Sequence, residues 1–352
     1  MRVLTSNTVE TRLAASPFPP TGKDLAAFRS ALLRWYDGRR RDLPWRKTRD
    51  PYRIWLSEIM LQQTRVAAVL EHYRIFLERF PNVDALAVAP EDAILAAWSG
   101  LGYYRRARRL HQCAKKLVEN HGGRFPHSAE DLETLPGIGR YTAAAIASIA
   151  FDEPIAVVDG NVERVVERLT GYDLTQPQIW QQAQSILNTA RPGDFNQSMM
   201  ELGATICLPR DPKCPTCPVR KWCATQQSTI TMERRASPPG GSRKPIPNRQ
   251  VRKEIWCALN QRDGHIRLVQ RPGKSSLMPG MWELPLLQQP HRTPAFAPWR
   301  TFRHSITITD YTVHVRRISH PAAKGKWIPV ANIPHLPLTG LTRKILKAAG
   351  II

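Results

Sequence analysis

Two carboxylates and a run of thiols are the residues in this chain whose types and spacing could do chemistry. Cys207, Cys214, Cys217 and Cys223 are separated by six, two and five residues. Such clustering suits four thiolates on one metal centre, zinc or [4Fe-4S], since ligand type alone does not separate the two. Two disulfides are the alternative, which a cytosolic chain discourages. Cys113 and Cys257 read as core residues. Glu58 follows Asp50 and Pro51, which can cap and open a helix. Helical spacing aligns it with Ile54 and Leu61, and apolar residues nearly encircle that helix. A carboxyl so desolvated is raised in pKa and suited to donate a proton near neutrality, although a structural ion pair with an arginine fits the same position. Asp159 precedes the amphipathic run Val162, Val165, Val166 and Leu169, where a helix N-cap is the plain reading. A carboxylate held at a helix start is also fixed in place and kept ionised.

The elements that must position these groups read as helices from about 24 to 225, with a tail at 1–23. Leu-Pro-Gly-Ile-Gly-Arg at 135–140 lies between two helical patterns and predicts a hairpin whose two glycines permit a tight turn. Its backbone N–H groups can meet a phosphate. Residues 226–250 are polar, basic and rich in Pro and Gly, and predict a linker. Beyond it the pattern shortens to strands at 254–259, 266–270 and 306–315, a turn at Asp263-Gly264 and a closing helix near 341–349.

Composition supplies the partner class. The chain has 51 Lys and Arg against 29 Asp and Glu, a net charge of +22, and residues 226–352 hold 21 of the basic and 5 of the acidic side chains. Such a surface attracts polyanions, nucleic acid above all. No stretch approaches 18 uninterrupted apolar residues, and the first twenty lack an export signal, so a cytoplasmic, nucleoid-associated protein without a membrane span is expected.

The cysteine spacing, the string Leu-Pro-Gly-Ile-Gly-Arg-x-Thr-Ala and Val-Val-Asp-Gly-Asn-Val at 157–162 together resemble the endonuclease III-like helix-hairpin-helix superfamily of DNA glycosylases. Leu-Ser-Glu-Ile-Met-Leu-Gln-Gln-Thr at 56–64, Leu-Pro-Trp-Arg at 43–46 and Gly-Leu-Gly-Tyr-Tyr at 100–104 resemble its adenine-specific branch, the MutY family. The resemblance implies a mainly α catalytic region over 24–225, a six-helix barrel plus a cluster domain. It also implies a [4Fe-4S] cluster on the four cysteines of the 207–223 loop. A C-terminal α+β domain resembling NUDIX domains would fill 251–352, with Pro-Gly-Met-Trp-Glu-Leu-Pro at 279–285 its clearest segment.

By the same resemblance Glu58 protonates a flipped adenine, Asp159 stabilises the cationic sugar, and Asn161 helps position the acid side of the site. Arg46 and Gln197 contact the adenine. Gln63 and Tyr103 wedge into the stack, and Leu61, Gly137, Gly139 and Arg140 meet the DNA, with Arg105, Arg106, Arg108 and Arg109 supplying phosphate partners. Tyr141 lies in the base pocket, where family members that also cut the backbone carry a Schiff-base lysine; tyrosine implies a monofunctional enzyme that leaves an abasic site. The implied partner is duplex DNA with adenine opposite 8-oxoguanine or guanine, bound by a monomer. The family reads the lesion through a Phe-Ser-His loop, and here His304-Ser305-Ile306-Thr307-Ile308 retains only a hydroxyl, on Thr307. The four acidic residues of 251–352, Glu254, Asp263, Glu283 and Asp310, are too dispersed for NUDIX magnesium chemistry. A bifunctional glycosylase and lyase, or a non-catalytic cluster-bearing DNA-binding protein, are the competing readings.

Overall fold

Local residue chemistry sets where the helices begin. In the computed structural model, which describes residues 18–227, 251–288, 297–306, 308–319 and 324–352, Asp50 accepts the Tyr52 amide at 2.9 Å and Pro51 occupies the first turn of its helix. Asn82 and Ser128 do the same for the Ala85 and Asp131 amides. Each such cap contributes about 1 kcal/mol.

The described residues divide into two compact units that are discontinuous in sequence, one from within Met1–Asp42 and Ala144–Ser242, the other from within Leu43–Ala143 and Arg243–Ile352. The first contains helices α1 (Gly22–Arg39), α9 (Gly160–Thr170), α10 (Gln176–Ile186), α11 (Pro192–Thr205) and α12 (Ala224–Gln227). Its core joins Phe28 and Leu32 of α1 to Val162, Val165 and Leu169 of α9 and to Phe195 and Leu202 of α11. Each such side chain, taken fully from water, stabilises by about 1.5–3 kcal/mol. The cysteine loop packs on the same core through Trp222, whose ring meets Phe28 edge-on at 5.5 Å. Helix α12 takes up the first two residues of the expected linker; the rest of the linker lies outside the described residues, as does most of the expected tail.

Helices α9 and α11 approach closely at Gly203. A Cβ there would lie 2.6 Å from the Asn161 Cβ and 2.9 Å from its carbonyl oxygen. Gly203→Ala is therefore expected to force the helices apart and lower stability by about 1–3 kcal/mol, read as the shift of a urea unfolding midpoint at constant slope; an unshifted midpoint would show that the pair yields without strain.

The second unit begins with α2 (Pro51–Leu61), α3 (Val66–Arg79), α4 (Val83–Val88), α5 (Glu91–Trp98), α6 (Arg105–His121) and α7 (Ala129–Glu133), and the unit boundary falls inside α8 (Arg140–Ala150). Trp55, Phe76 and Trp98 are fully buried in its helical part. Its remainder is α+β. Strands β1 (Val251–Leu259), β5 (Leu286–Leu287), β6 (Arg300–Ile306) and β7 (Thr309–Arg317) form a sheet in the order β5-β1-β7-β6, with β1 and β7 parallel. A second sheet joins β2 (Gln261–Arg262), β3 (His265–Gln270), β4 (Trp282–Glu283) and β8 (Lys326–Pro329). Helix α13 (Gly340–Ala348) closes the core with Ile345 and Leu346. Asp263 and Gly264, both with positive φ, make the expected turn between β2 and β3.

The single strand expected over 306–315 is instead the end of β6 and most of β7, paired antiparallel from Ile306↔Thr309 to Arg300↔Val315. The reversal falls between those two residues, and Thr307 lies outside the described residues. Within this unit the sheet-bearing part is fastened to α5 and α6. The Leu338 carbonyl accepts the Ser99 hydroxyl at 2.9 Å and the Tyr104 hydroxyl at 3.1 Å, and Arg343 Nε donates to Ser99 Oγ at 3.0 Å. No helix among the described residues is long and apolar enough to cross a membrane.

Candidate active site and thiol cluster

Glu58 sits on the third turn of α2, only 7% exposed, and its Oε2 accepts the Tyr141 hydroxyl at 2.5 Å. Tyr141 stands on the first turn of α8, directly after the hairpin, so the hairpin sets the angle at which this phenol meets the acid. In that hairpin Gly137 has φ +83°, and a Cβ on it would meet the Arg109 Cβ at 2.8 Å. Gly139 has neither constraint; its carbonyl accepts the Ala143 amide at 2.9 Å and starts α8. The expectation that both glycines shape the turn thus holds at Gly137 alone, where a left-handed backbone and a close neighbour coincide. Arg46, half-buried, ends the short 3-10 turn Pro44–Arg46, whose Trp45 packs edge-on against Tyr73 at 5.3 Å. Leu61 closes α2.

Beyond α2, Gln63 and Tyr103 are exposed and both carry left-handed backbones, with φ 55° and 46°. The four arginines after Tyr104 divide in a way their shared charge did not indicate. Arg105 and Arg109 are exposed. Arg108 instead binds Glu91 and the Pro279 carbonyl, and Arg106 is committed to backbone carbonyls. Of the four, the outer pair alone is exposed.

In the first unit Asp159 caps α9, as its position predicts. Its Oδ1 accepts the Asn161 and Val162 amides at 2.9 and 2.8 Å, and its Oδ2 accepts the Asn161 side-chain amide at 2.9 Å. Asn161 therefore orients Asp159, because a side chain two residues into the helix folds back on the cap. Arg164, buried, extends this arrangement: it donates to Asn161 Oδ1 at 2.9 Å, to the Gly203 carbonyl at 2.7 Å and to the Cys207 carbonyl at 2.9 Å. Burial lowers the Arg164 pKa from its ordinary value, with the neighbouring Cys207 and Asp159 opposing. Gln197, on α11, accepts the Tyr36 hydroxyl at 2.8 Å, which fixes the sense of its amide. One turn later the fully buried Glu201 takes a forked bond from Arg41, Nε to Oε1 at 2.8 Å. Sequence reading missed Tyr36, Arg164 and Glu201; the last carried a signal, a carboxylate one helical turn after Gln197.

The four cysteines of the loop are all free thiols. Cys207 Sγ receives Arg168 at 3.3 Å, and the Cys223 thiol lies 3.2 Å from the Arg168 carbonyl. Burial pushes the Cys217 thiol up to about 12, the Val219 amide opposes, and Cys207, Cys223 and Cys214 add to the rise. Burial likewise pushes Cys223 up to about 11. Cys217 and Cys223, desolvated and in the field of the other two thiols, are costly as bare thiolates, and a metal centre offsets that cost, so the donor set fits such a group. Among the described residues no three His, Cys, Asp or Glu side chains converge on one single-ion position; thiolates on the corners of a multi-iron cluster stand further apart than that.

Comparison with known proteins agrees with this arrangement. Residues 56–188 match the family described as HhH-GPD superfamily base excision DNA repair protein. The adenine DNA glycosylase of Mus musculus is 47% identical over 254 residues, covering 68% of this chain and 47% of that protein. The adenine DNA glycosylase of Homo sapiens is 37% identical over 384 residues, covering 88% of this chain and 69% of that one. This chain thus spans about half the length of the mouse relative and about two thirds of the human one. A solved thermostable thymine-DNA glycosylase superposes with a TM-score of 0.55 at 33% identity, over 58% of this chain and 97% of its own. At this identity and coverage, the chain belongs to the adenine DNA glycosylase family.

Proposed function

We propose that the protein is a monofunctional DNA glycosylase that excises adenine opposite 8-oxoguanine or guanine in duplex DNA and leaves an abasic site. The observation that carries this reading is the hydrogen bond from Tyr141 to Glu58. It supplies a buried carboxyl oriented for proton transfer, and its donor is a phenol at the position where a lyase of the superfamily would carry an amine. A phenol forms no Schiff base with a sugar aldehyde.

In the proposed reaction the adenine leaves the stack, at a cost of a few kcal/mol. Arg46 and Gln197 bind it, the latter through an amide whose sense Tyr36 fixes. Glu58 gives its proton to N7 as the bond from C1′ to N9 breaks, the electron pair departing with the base. Asp159, held in place by two backbone amides and the Asn161 side chain, faces the cationic sugar, and water completes the hydrolysis. This is the two-carboxylate logic of glycoside hydrolysis. Cys207, Cys214, Cys217 and Cys223 would hold a [4Fe-4S] cluster, which would brace the loop carrying Arg210, Lys213, Arg220 and Lys221 toward phosphates. Lesion recognition would fall to the C-terminal region, with Thr307 supplying a hydroxyl.

The test is a duplex holding adenine opposite 8-oxoguanine, scored for strand breaks with and without alkali. Breaks only after alkali are expected. Breaks without alkali would identify a lyase, and none under either condition would remove this substrate.

A further inference from the structure

A single side chain, Arg106, joins the two exposed turns that carry Gln63 and Tyr103. One amino group of its guanidinium, NH1, donates to the Ile59 carbonyl at 2.8 Å, the Met60 carbonyl at 3.0 Å and the Gln62 carbonyl. The other, NH2, donates to Thr64 Oγ1 at 3.1 Å, the Leu101 carbonyl at 3.2 Å and the Gly102 carbonyl at 3.4 Å. The first set are carbonyls at the C-terminal end of α2, which that helix leaves without internal partners. The second set belongs to both turns. The guanidinium also lies 5.5 Å from the Tyr103 ring centroid and 5.4 Å from that of Trp98.

Both turns need such a fastening. Gln63 and Tyr103 hold left-handed backbones that cost a residue with a Cβ about 1 kcal/mol each, and Gly100 and Gly102 beside Tyr103 also have positive φ. Tyr103 is 56% exposed, so packing alone does not hold its ring in place. Each turn has a bond of its own, from the Thr64 amide to the Leu61 carbonyl at 3.2 Å and from Trp98 Nε1 to the Gly102 carbonyl at 3.1 Å, and Arg106 adds bonds to both. A planar fork with fixed donor directions can serve two turns at once; a lysine ammonium on a flexible stem cannot hold the same geometry.

We infer that Arg106 is a positioning residue that ties the Gln63 turn and the Tyr103 turn into one preformed wedge for opening the base pair. This inference rests on the proposed function and on the family resemblance, by which those two side chains enter the stack. With its donors turned inward, Arg106 does not serve as a phosphate ligand. Burial pulls its pKa down to about 10, with Tyr103 opposing, which leaves it protonated at neutral pH.

The experiment compares wild type, Arg106→Ala, Arg106→Lys, Tyr103→Ala and the double variant Arg106→Ala/Tyr103→Ala. Amide hydrogen exchange of the free proteins reports the turns directly. Exchange in Arg106→Ala is expected to rise in 61–65 and 100–104 together while α9 and α11 stay protected. Next, a duplex with 2-aminopurine beside the mispaired adenine reports opening, and its fluorescence rise on binding is expected to be largely lost in both single variants. Single-turnover excision is expected to fall about a hundredfold in Arg106→Ala, as for misplacement by about an ångström. The double variant is expected to be little worse than the worse single one, since both changes remove the same wedge. Arg106→Lys, which keeps the charge, is expected to recover less than about a tenth of the lost rate.

Exchange changes confined to one turn, additive rate losses, or full rescue by lysine would each overturn the clamp. A wild-type protein that excises no adenine would sink the functional reading while the exchange result still decides whether the two turns are tied.

Discussion

Replacement of Glu58 by Gln is expected to lower single-turnover adenine excision by roughly three orders of magnitude, within the range that a positioned general acid contributes. The substituted glutamine would keep the volume of the side chain, and its carbonyl oxygen can still accept the Tyr141 hydroxyl that Glu58 now accepts. What it lacks is a proton to give to the leaving base. Duplex affinity is expected to stay within a few-fold of wild type, because the substitution leaves the exposed turns and basic surface intact. Stability is expected to hold or to rise, since a carboxyl only 7% exposed is exchanged for a neutral amide of the same shape. Quenched-flow excision with the abasic product revealed by alkali gives the rate, and a urea titration gives the stability. A loss below tenfold would move the acid to another side chain.

Asp159→Asn carries the second large effect, and it separates two roles that one side chain combines. As an N-cap, Asn is about as good as Asp, and its oxygen can still take the amides of Asn161 and Val162 that Oδ1 takes now. The melting temperature is therefore expected to move by no more than a degree or two. As a stabiliser of a cationic sugar, a neutral amide is poor, and excision is expected to fall by about two to three orders of magnitude, the scale of losing one preorganised electrostatic partner. Asp159→Ala makes the contrast, with a comparable rate loss and about 1 kcal/mol less stability from the missing cap. If Asp159→Asn excises within threefold of wild type, the carboxylate is a cap and nothing more.

What the sequence disclosed was local. Asp50 with Pro51, the Asp159 cap and the Asp263-Gly264 turn each rest on a hydrogen bond or a backbone angle confined to a few neighbouring residues. The reversal between β6 and β7 escaped because Ile306-Thr307-Ile308-Thr309 is β-branched throughout and contains no Gly, Asn or Pro to mark a turn. Arg106 looked like one phosphate-seeking arginine among four, and nothing in its neighbours shows that four of its six acceptors lie more than forty residues upstream. The bond from Asn161 to Asp159 was not legible for a related reason: the direction of a side-chain amide is a matter of rotamer. Arg164 was invisible as a link because the Cys207 and Gly203 carbonyls reach it from across the fold.

The bonds that fasten Leu338 to Ser99 and Tyr104 bridge 239 and 234 residues. During synthesis at about 5–20 residues per second, the acceptor follows its donors by roughly 10 to 50 seconds. For that interval the nascent helices of 43–143 carry two hydroxyls and a turn whose final partner has not yet been made. The span is long compared with helix formation and with most single-domain folding steps. The unit is thus completed only as the last strands and α13 emerge. Residues 43–143 must meanwhile stay soluble as an unfinished surface, which places the critical stage for aggregation or chaperone capture late in translation.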